Sequence, residues 1–321
     1  MKQFIGLDVS LKDTFVSVRE GAKRIWRGKC PSDPKLIAEV IRKRAPNAER
    51  VVFETGPLAV WFYNGLTLEG LPAICIDARH AKAALEVAPN KTDANDADGL
   101  AHFAKVGFYR EVRVKSFDSM LIRTFVAARN QLLKMTTQLS NQIRGLMKTF
   151  GLVVPKGAGR VFEGPCAQPA SEQCRARADY HAVARCLEGA CAPALPGLSK
   201  QLVASARASE QCQLLAWIPG VGAVTASSFV AAIEDPENFR NSRSVGAWIG
   251  LTTRRYQSGE VDYDGHISRR GDNHLRGLLY EAATVILTRT KADTALRIWG
   301  LKLKEKIGFK RAAVAVARSL P

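Results

Sequence analysis

The sequence predicts a mixed α/β domain at the N-terminus, a long helical linker, and a mainly helical C-terminal domain. Three observations predict it. Short strand-like runs open the chain and then alternate with helical ones, the signature of a mixed sheet flanked by helices. From Leu121 to Phe150 apolar residues recur at spacings of three and four, as on a long amphipathic helix. Beyond residue 206 the apolar pattern is again helical and is interrupted by glycine-rich turns. The expected domains are 1–115, 116–205 and 206–321.

Each element has a local reason. QFIGLDV (3–9) and TFVSVR (14–19) read as strands joined by a polar turn, with a third strand at 24–29. A helix follows over 33–44, with Asp33 as N-cap and Pro34 at the first helical position. RVVFETG (50–56) is a buried-type strand ending in a carboxylate, followed by a helix over 58–68, a strand over 72–77, and helices near 79–87 and 93–107. On the long helix, Leu121, Phe125, Ala128, Leu132, Met135, Leu139, Ile143, Leu146 and Phe150 form a coiled-coil-like seam. That seam suits packing within its own domain and dimerisation equally. Residues 151–198 are rich in Gly, Pro and Cys, with helix expected to resume in the 170s to 180s and near 198–216. WIPGVGAVTASSFVAAI (217–233) matches a helix–hairpin–helix turn, in which Gly220 and Gly222 would leave backbone N–H groups open to a phosphate. A plain Gly-rich helix connector fits the same residues.

Composition narrows the partners. Lys and Arg number 47 against 30 Asp and Glu, a net charge of +17, and the excess recurs in each third of the chain. A field of that sign along the whole body favours a long polyanion, nucleic acid above all. Seven cysteines with no CxxC pair argue for reduced thiols and against a disulfide frame or zinc ribbon. No apolar run has the length of a membrane span, MKQFIGLDVS lacks the form of a signal peptide, and a cytoplasmic, nucleoid-associated protein is expected. The absence of a GxxxxGK[ST] loop disfavours ATP-driven chemistry.

Against that basic background, KTDANDADGLAHF (91–103) concentrates acid at the start of a helix. Asp93 and Asp96 lie about 60° apart around a helix and can face one point, whereas Asp98 turns roughly 140° away from Asp93. The bland reading is that Asp93 caps the helix while Asp96 and Asp98 complement its dipole. Asp8 in the first strand and Glu54 at the end of another change the balance. Together Asp8, Glu54, Asp93 and Asp96 make an all-oxygen set suited to Mg²⁺ or Mn²⁺. Two such ions ~4 Å apart can hold the attacking and leaving oxygens of an in-line phosphoryl displacement.

These residues, with the motifs FIGLDVS, VVFETG, NKTDANDADGLA, WIPGVGAVTA, GLTTRRYQSG and ISRRGDNHLRGLLY in that order, resemble the DEDD transposases of bacterial insertion sequences, insertion-sequence family one-ten. The likeness covers about 1–150 and 206–318 and is loose over 151–205. It implies an RNase H-like, RuvC-like N-terminal domain, a helical linker, and a C-terminal domain bearing a serine. The metal-binding acids fall on Asp8, Glu54, Asp93 and Asp96, and the serine nucleophile falls on Ser268. The resemblance further implies DNA strand cleavage and exchange, a structured guide RNA pairing with donor and target DNA, and a homo-oligomer, dimer or tetramer. Family members usually continue past RAAVAVARSLP (311–321), so a C-terminally truncated copy is expected.

Ser268 also has a physical reading. A side-chain oxygen retains the phosphodiester as a covalent ester that a second strand can reverse. Arg254, Arg255, Arg269, Arg270 and Arg276 are the expected phosphate clamps around it. The metal would then be supplied by the other domain, of the same or another subunit. The bland reading makes Ser268 the N-cap of the helix that follows. His266 and His274 are expected at the surface or against phosphate, neither as a base. Two further function classes stay open: a RuvC-type nuclease or junction resolvase with no covalent step, and an inactive nucleic-acid-binding remnant.

Overall fold

Alternation in the first strand sets the architecture of the N-terminal unit. In the computed structural model, which describes residues 1–86, 92–149, 151 and 194–320, the chain divides into units Met1–Phe117 and Asp118–Pro321. In the first, β1 (Gln3–Val9), β2 (Asp13–Glu20) and β3 (Lys23–Pro31) form an antiparallel meander. Next come α1 (Pro34–Arg44), β4 (Ala48–Glu54), α2 (Ala59–Leu68), β5 (Ala73–Ile76), α3 (Ala78–Leu85) and α4 (Asp93–Val106). The sheet order is β3-β2-β1-β4-β5, with β4 parallel to both β1 and β5. Asp33 caps α1 through the Lys35 and Leu36 N–H groups, with Pro34 at its start as the sequence predicts.

The strands divide their side chains between two cores. Ile5, Leu7, Val51 and Phe53 pack with Ile37 and Ile41 of α1 and Phe62 and Leu66 of α2. Phe4, Val52 and Ile76 face the other way, onto Ala81 of α3 and Leu100, Phe103 and Ala104 of α4. Helices therefore cover both faces, as expected for a mixed α/β sheet. Gly6 lets α4 lie directly on β1: a Cβ there would stand 2.2 Å from the Ala97 carbonyl oxygen. Asp98 pins α4 to the meander, accepting from Ser17 Oγ at 2.6 Å, from Arg27 at 3.3 Å and from Arg24. It points away from Asp93, as the helical count predicts.

The second unit is mostly helical. Its long helix α5 (Phe117–Lys148) has 32 residues and so extends roughly 48 Å. Of the expected seam, Ile143 is buried, Phe125, Leu132 and Leu139 are half-buried, and Leu121, Met135 and Leu146 are exposed. The described residues thus cover only part of that stripe, and Phe150 lies outside them. The helix expected in the 170s to 180s also lies outside the described residues. The one expected near 198–216 is split at Ser209 into α6 (Ala194–Ala208) and α7 (Glu210–Ala216), because the Ser209 hydroxyl caps α7.

Then come α8 (Ala223–Ile233), α9 (Ser242–Ile249), β6 (Thr253–Ser258), β7 (Val261–Ile267), α10 (Asn273–Thr288), α11 (Ala295–Ile307) and α12 (Phe309–Arg318). Their core joins Ile249, Leu251, Leu275, Leu279, Ile286 and Val316. The β6–β7 hairpin is an addition to the mainly helical domain the sequence predicts. Among the described residues, no helix is long and apolar enough to cross a membrane.

Candidate active site

Two places carry the residues that the sequence singles out, one in each unit. In the first, Leu7 of β1 pairs with Phe53 of β4, so the next residues, Asp8 and Glu54, end neighbouring parallel strands. By alternation both fall on the sheet face that carries Phe4, Gly6 and Val52. Both line a cleft of about 720 Å³, walled further by Ser10, Lys12, Thr55 and Gly56. Its rim is tied down: Ser10 Oγ donates to the Asp13 carbonyl at 2.6 Å, and Ser32 Oγ donates to the Ser10 carbonyl at 2.7 Å.

The path of α4 brings its first turn toward the same strand end. Arg50, paired with Phe4, donates to the Ala104 carbonyl at 3.0 Å. Two residues along β1, Gly6 meets Ala97 and Ala101. The helix numbering falls as the strand numbering rises, so Asp93 and Asp96 belong to the turn at the Asp8 end. Asp93 is not the cap: Thr92 takes that place, its hydroxyl accepting from the Asn95 N–H at 3.2 Å. Asp93 instead stands with Asp96 among the acids of the helix's first turn.

The four acids do not close into a ligand shell. Asp93 is exposed and Asp96 half-buried, and neither lines the cleft that holds Asp8 and Glu54. Among the described residues, no group of three or more His, Cys, Asp or Glu side chains is placed to hold an ion. The donor chemistry still fits Mg²⁺, which keeps several waters and binds through one or two carboxylates plus substrate phosphates rather than an all-protein cage. Asp77, at the end of β5, is committed elsewhere: it caps α3 through the Arg79 N–H at 2.8 Å. Thiol chemistry is disfavoured among the described cysteines, because Cys30, Cys75 and Cys212 are all buried. Burial, with Glu111 adding to it, pushes the Cys75 thiol up to about 11.

In the second unit, Ser268 sits half-buried in the loop between β7 and α10. Its N–H donates to the Thr252 carbonyl at 2.7 Å, and Arg269 N–H donates to the Gly250 carbonyl at 3.1 Å. Gly250, at φ 87°, allows the close approach, since a Cβ there would stand 2.2 Å from the Arg270 carbonyl oxygen. Arg269 holds a left-handed φ of 53°, a costly conformation for a residue with a side chain. Asp272 caps α10, accepting from the His274 and Leu275 N–H groups at 2.9 and 3.0 Å. Ser268 is thus not the cap of the helix that follows.

The five arginines separate into two kinds. Arg254 donates to the Ser268 carbonyl at 3.0 Å, and Arg255 pairs with Asp262 across the hairpin at 2.8 Å. Arg276 is buried and donates to the Ile249 and Arg270 carbonyls at 2.8 and 3.1 Å and to Asn273 Oδ1 at 2.7 Å. Its guanidinium braces the serine loop from beneath, where the sequence has it as a phosphate clamp. Arg269 and Arg270 are exposed. His266 is exposed, but His274 is half-buried and its Nε2 has no hydrogen-bond partner. Burial holds the His274 imidazole below its ordinary value, with Asp272 opposing.

The turn between α7 and α8 carries Gly220 and Gly222, and the two glycines differ in role. A Cβ at Gly220 would stand 2.7 Å from the Ala282 carbonyl oxygen, so that glycine serves packing against α10. Gly222 starts α8 with open space around it.

The bracing role of Arg276 has a measurable consequence. Arg276→Ala leaves the Ile249 and Arg270 carbonyls without this donor and is expected to destabilise the protein by about 2–3 kcal/mol in urea unfolding. Arg270→Ala should stay within about 0.5 kcal/mol of wild type.

A family profile described as a transposase, of the DEDD type, matches residues 5–151, and one described as "Transposase IS116/IS110/IS902 family" matches residues 212–297. The transposase for insertion sequence element IS1111A of Coxiella burnetii is 34% identical over 271 residues, covering 83% of this chain and 74% of that protein. A putative transposase of Sinorhizobium fredii, y4pF/y4sB, is 33% identical over 235 residues, covering 72% of this chain and 60% of its own length. Among solved structures, RuvC of Thermus thermophilus aligns at 14% identity with a TM-score of 0.27, over 34% of this chain and 99% of that one. The chain belongs to the IS110/IS116/IS902 family of transposases and carries that family's DEDD domain at its N-terminus.

Proposed function

We propose that this chain cuts and exchanges DNA strands through a covalent serine ester, using a divalent cation held by its strand-end acids. The observation that carries the proposal is the placement of Asp8 and Glu54 at the ends of adjacent parallel strands, with the first turn of α4 approaching the same end. Asp8, Glu54, Asp93 and Asp96 are the residues that would hold Mg²⁺ or Mn²⁺. The ion would offset charge developing on the phosphoryl oxygens.

In the serine step, Ser268 Oγ bonds to phosphorus while the bond from phosphorus to one strand's ester oxygen breaks. That oxygen leaves as a hydroxyl carrying the serine proton. Attack by the hydroxyl of another strand reverses the step, rebuilds a phosphodiester and frees Ser268. Arg269 and Arg270, exposed beside it, suit the phosphate's charge. The family likeness also supports a structured guide RNA, donor and target DNA as partners, and a homo-oligomer.

The test is incubation with end-labelled junction DNA and Mg²⁺, with and without RNA co-purified with the protein, followed by a denaturing gel. Wild type should give a protein–DNA adduct, which EDTA and Ser268→Ala should each reduce by at least about a thousandfold, or ~4 kcal/mol of barrier. Cutting that survives Ser268→Ala without an adduct would identify a hydrolytic nuclease instead. DNA binding without cutting under any of these conditions would identify a remnant.

A further inference from the structure

Beside the serine loop, the second unit has a groove of about 1350 Å³ that the sequence does not reveal. Its lining includes Arg243, Arg269, Lys310, Arg311 and Arg318, against the single acid Asp264. Five cations facing one acid give the groove a positive field suited to a polyanion.

The local sequence sharpens the point. Lys310 and Arg311 sit in the first turn of α12, where the helix dipole disfavours positive charge, and Gly308 at its start provides no side-chain cap. An anion at that end relieves both defects. Arg243 stands in the first turn of α9 on the same groove.

Flat aromatic faces lie among the charges. Trp299 of α11 is 44% exposed and lines the groove, as does Tyr263, which is 55% exposed and stacked on Tyr256 with ring centroids 5.5 Å apart. Cations interleaved with open aromatic rings suit a single strand, whose bases present faces that a duplex hides. Ile267 and Arg269, the neighbours of Ser268 on either side, both line the groove. Ser268 itself is not among the lining residues, so a strand lying in the groove runs alongside the serine loop.

We propose that this groove is a track for single-stranded DNA leading to Ser268. The choice of DNA over RNA rests on the reading of Ser268 given above. The track itself rests on the charge and aromatic pattern.

The test uses the full chain and fluorescently labelled oligo-dT, with binding read by anisotropy across a salt series in EDTA, so that no cutting intervenes. Each phosphate contact on a single strand contributes ~0.7 to the salt slope, so Arg243→Ala/Lys310→Ala/Arg311→Ala should lower it by about 2. Trp299→Ala should weaken binding at least about fivefold at fixed salt. Removing three exposed cations of the first unit, Lys23, Lys35 and Lys43, should leave the slope unchanged.

Should the triple groove variant fail to fold by circular dichroism, Arg311→Glu alone is expected to lower the slope in the same direction. Equal losses from the groove and control triples overturn the proposal. So does tighter groove-dependent binding of a duplex, or of oligo-rU, than of oligo-dT. An adduct persisting in Ser268→Ala would sink the serine reading and leave these binding results standing, so the two failures are distinguishable.

Discussion

An Asp8→Asn variant is expected to bind DNA at least as tightly as wild type and to cut it at least about a thousandfold more slowly, a loss of ~4 kcal/mol in transition-state stabilisation. The amide keeps the shape of the carboxylate and removes its charge, and charge is what a hard divalent cation requires. Removing a negative charge from a protein of net charge +17 does not weaken its attraction for a polyanion, so binding and cutting should separate. Glu54→Gln should behave alike. The double variant should be little worse than either single, because groups that act as one unit are strongly non-additive. Filter binding and a cleavage time course, on the same DNA and at the same salt, provide both readouts. If binding fell in step with cutting, the acids would be structural and the metal reading would be lost.

Much of this site was legible residue by residue, and what was not has physical reasons. Asp8 and Glu54 were recognisable at the ends of strands, because the apolar runs before them are short and β-rich. Their adjacency was not, since it arises from β4 inserting beside β1 after a helical crossover, a pairing no local window contains. Thr92 and Asp93 are both good capping residues, and only the structure shows that the threonine takes the role. The β6–β7 hairpin is not legible in the sequence because its side chains are nearly all exposed, leaving no apolar alternation to read. The usable signal was Gly259 opening a two-residue connection between Ser258 and Val261. Arg276 did leave a trace: it lies three residues before Leu279 and seven before Ala283, on the buried stripe of α10. A cation in that stripe needs internal acceptors, and the Ile249 and Arg270 carbonyls and Asn273 provide them. The groove was invisible because Arg243, Arg269 and Lys310 come from three separate segments, each ordinary alone.

Gly6→Ala is expected to cost more than about 3 kcal/mol of stability, at the severe end for an overpacked methyl group. The added Cβ would lie 2.2 Å from the Ala97 carbonyl oxygen, 2.3 Å from the Ala101 nitrogen and 2.8 Å from the Leu100 carbonyl carbon. All three are backbone atoms of α4 and cannot rotate aside, so helix and strand must part. Gly56→Ala, on the wall of the Asp8–Glu54 cleft, meets nothing within 4 Å and should stay within about 0.5 kcal/mol of wild type. Urea midpoints of the two variants check the contrast directly. The consequence reaches the chemistry, because the helix that is displaced carries Asp93 and Asp96 in its first turn. Gly6→Ala should therefore cut more slowly than wild type even where it remains folded. A Gly6→Ala protein as stable and active as wild type would mean that α4 does not press on β1 at this point, and the approach of Asp93 and Asp96 to the Asp8 strand end would lose its support.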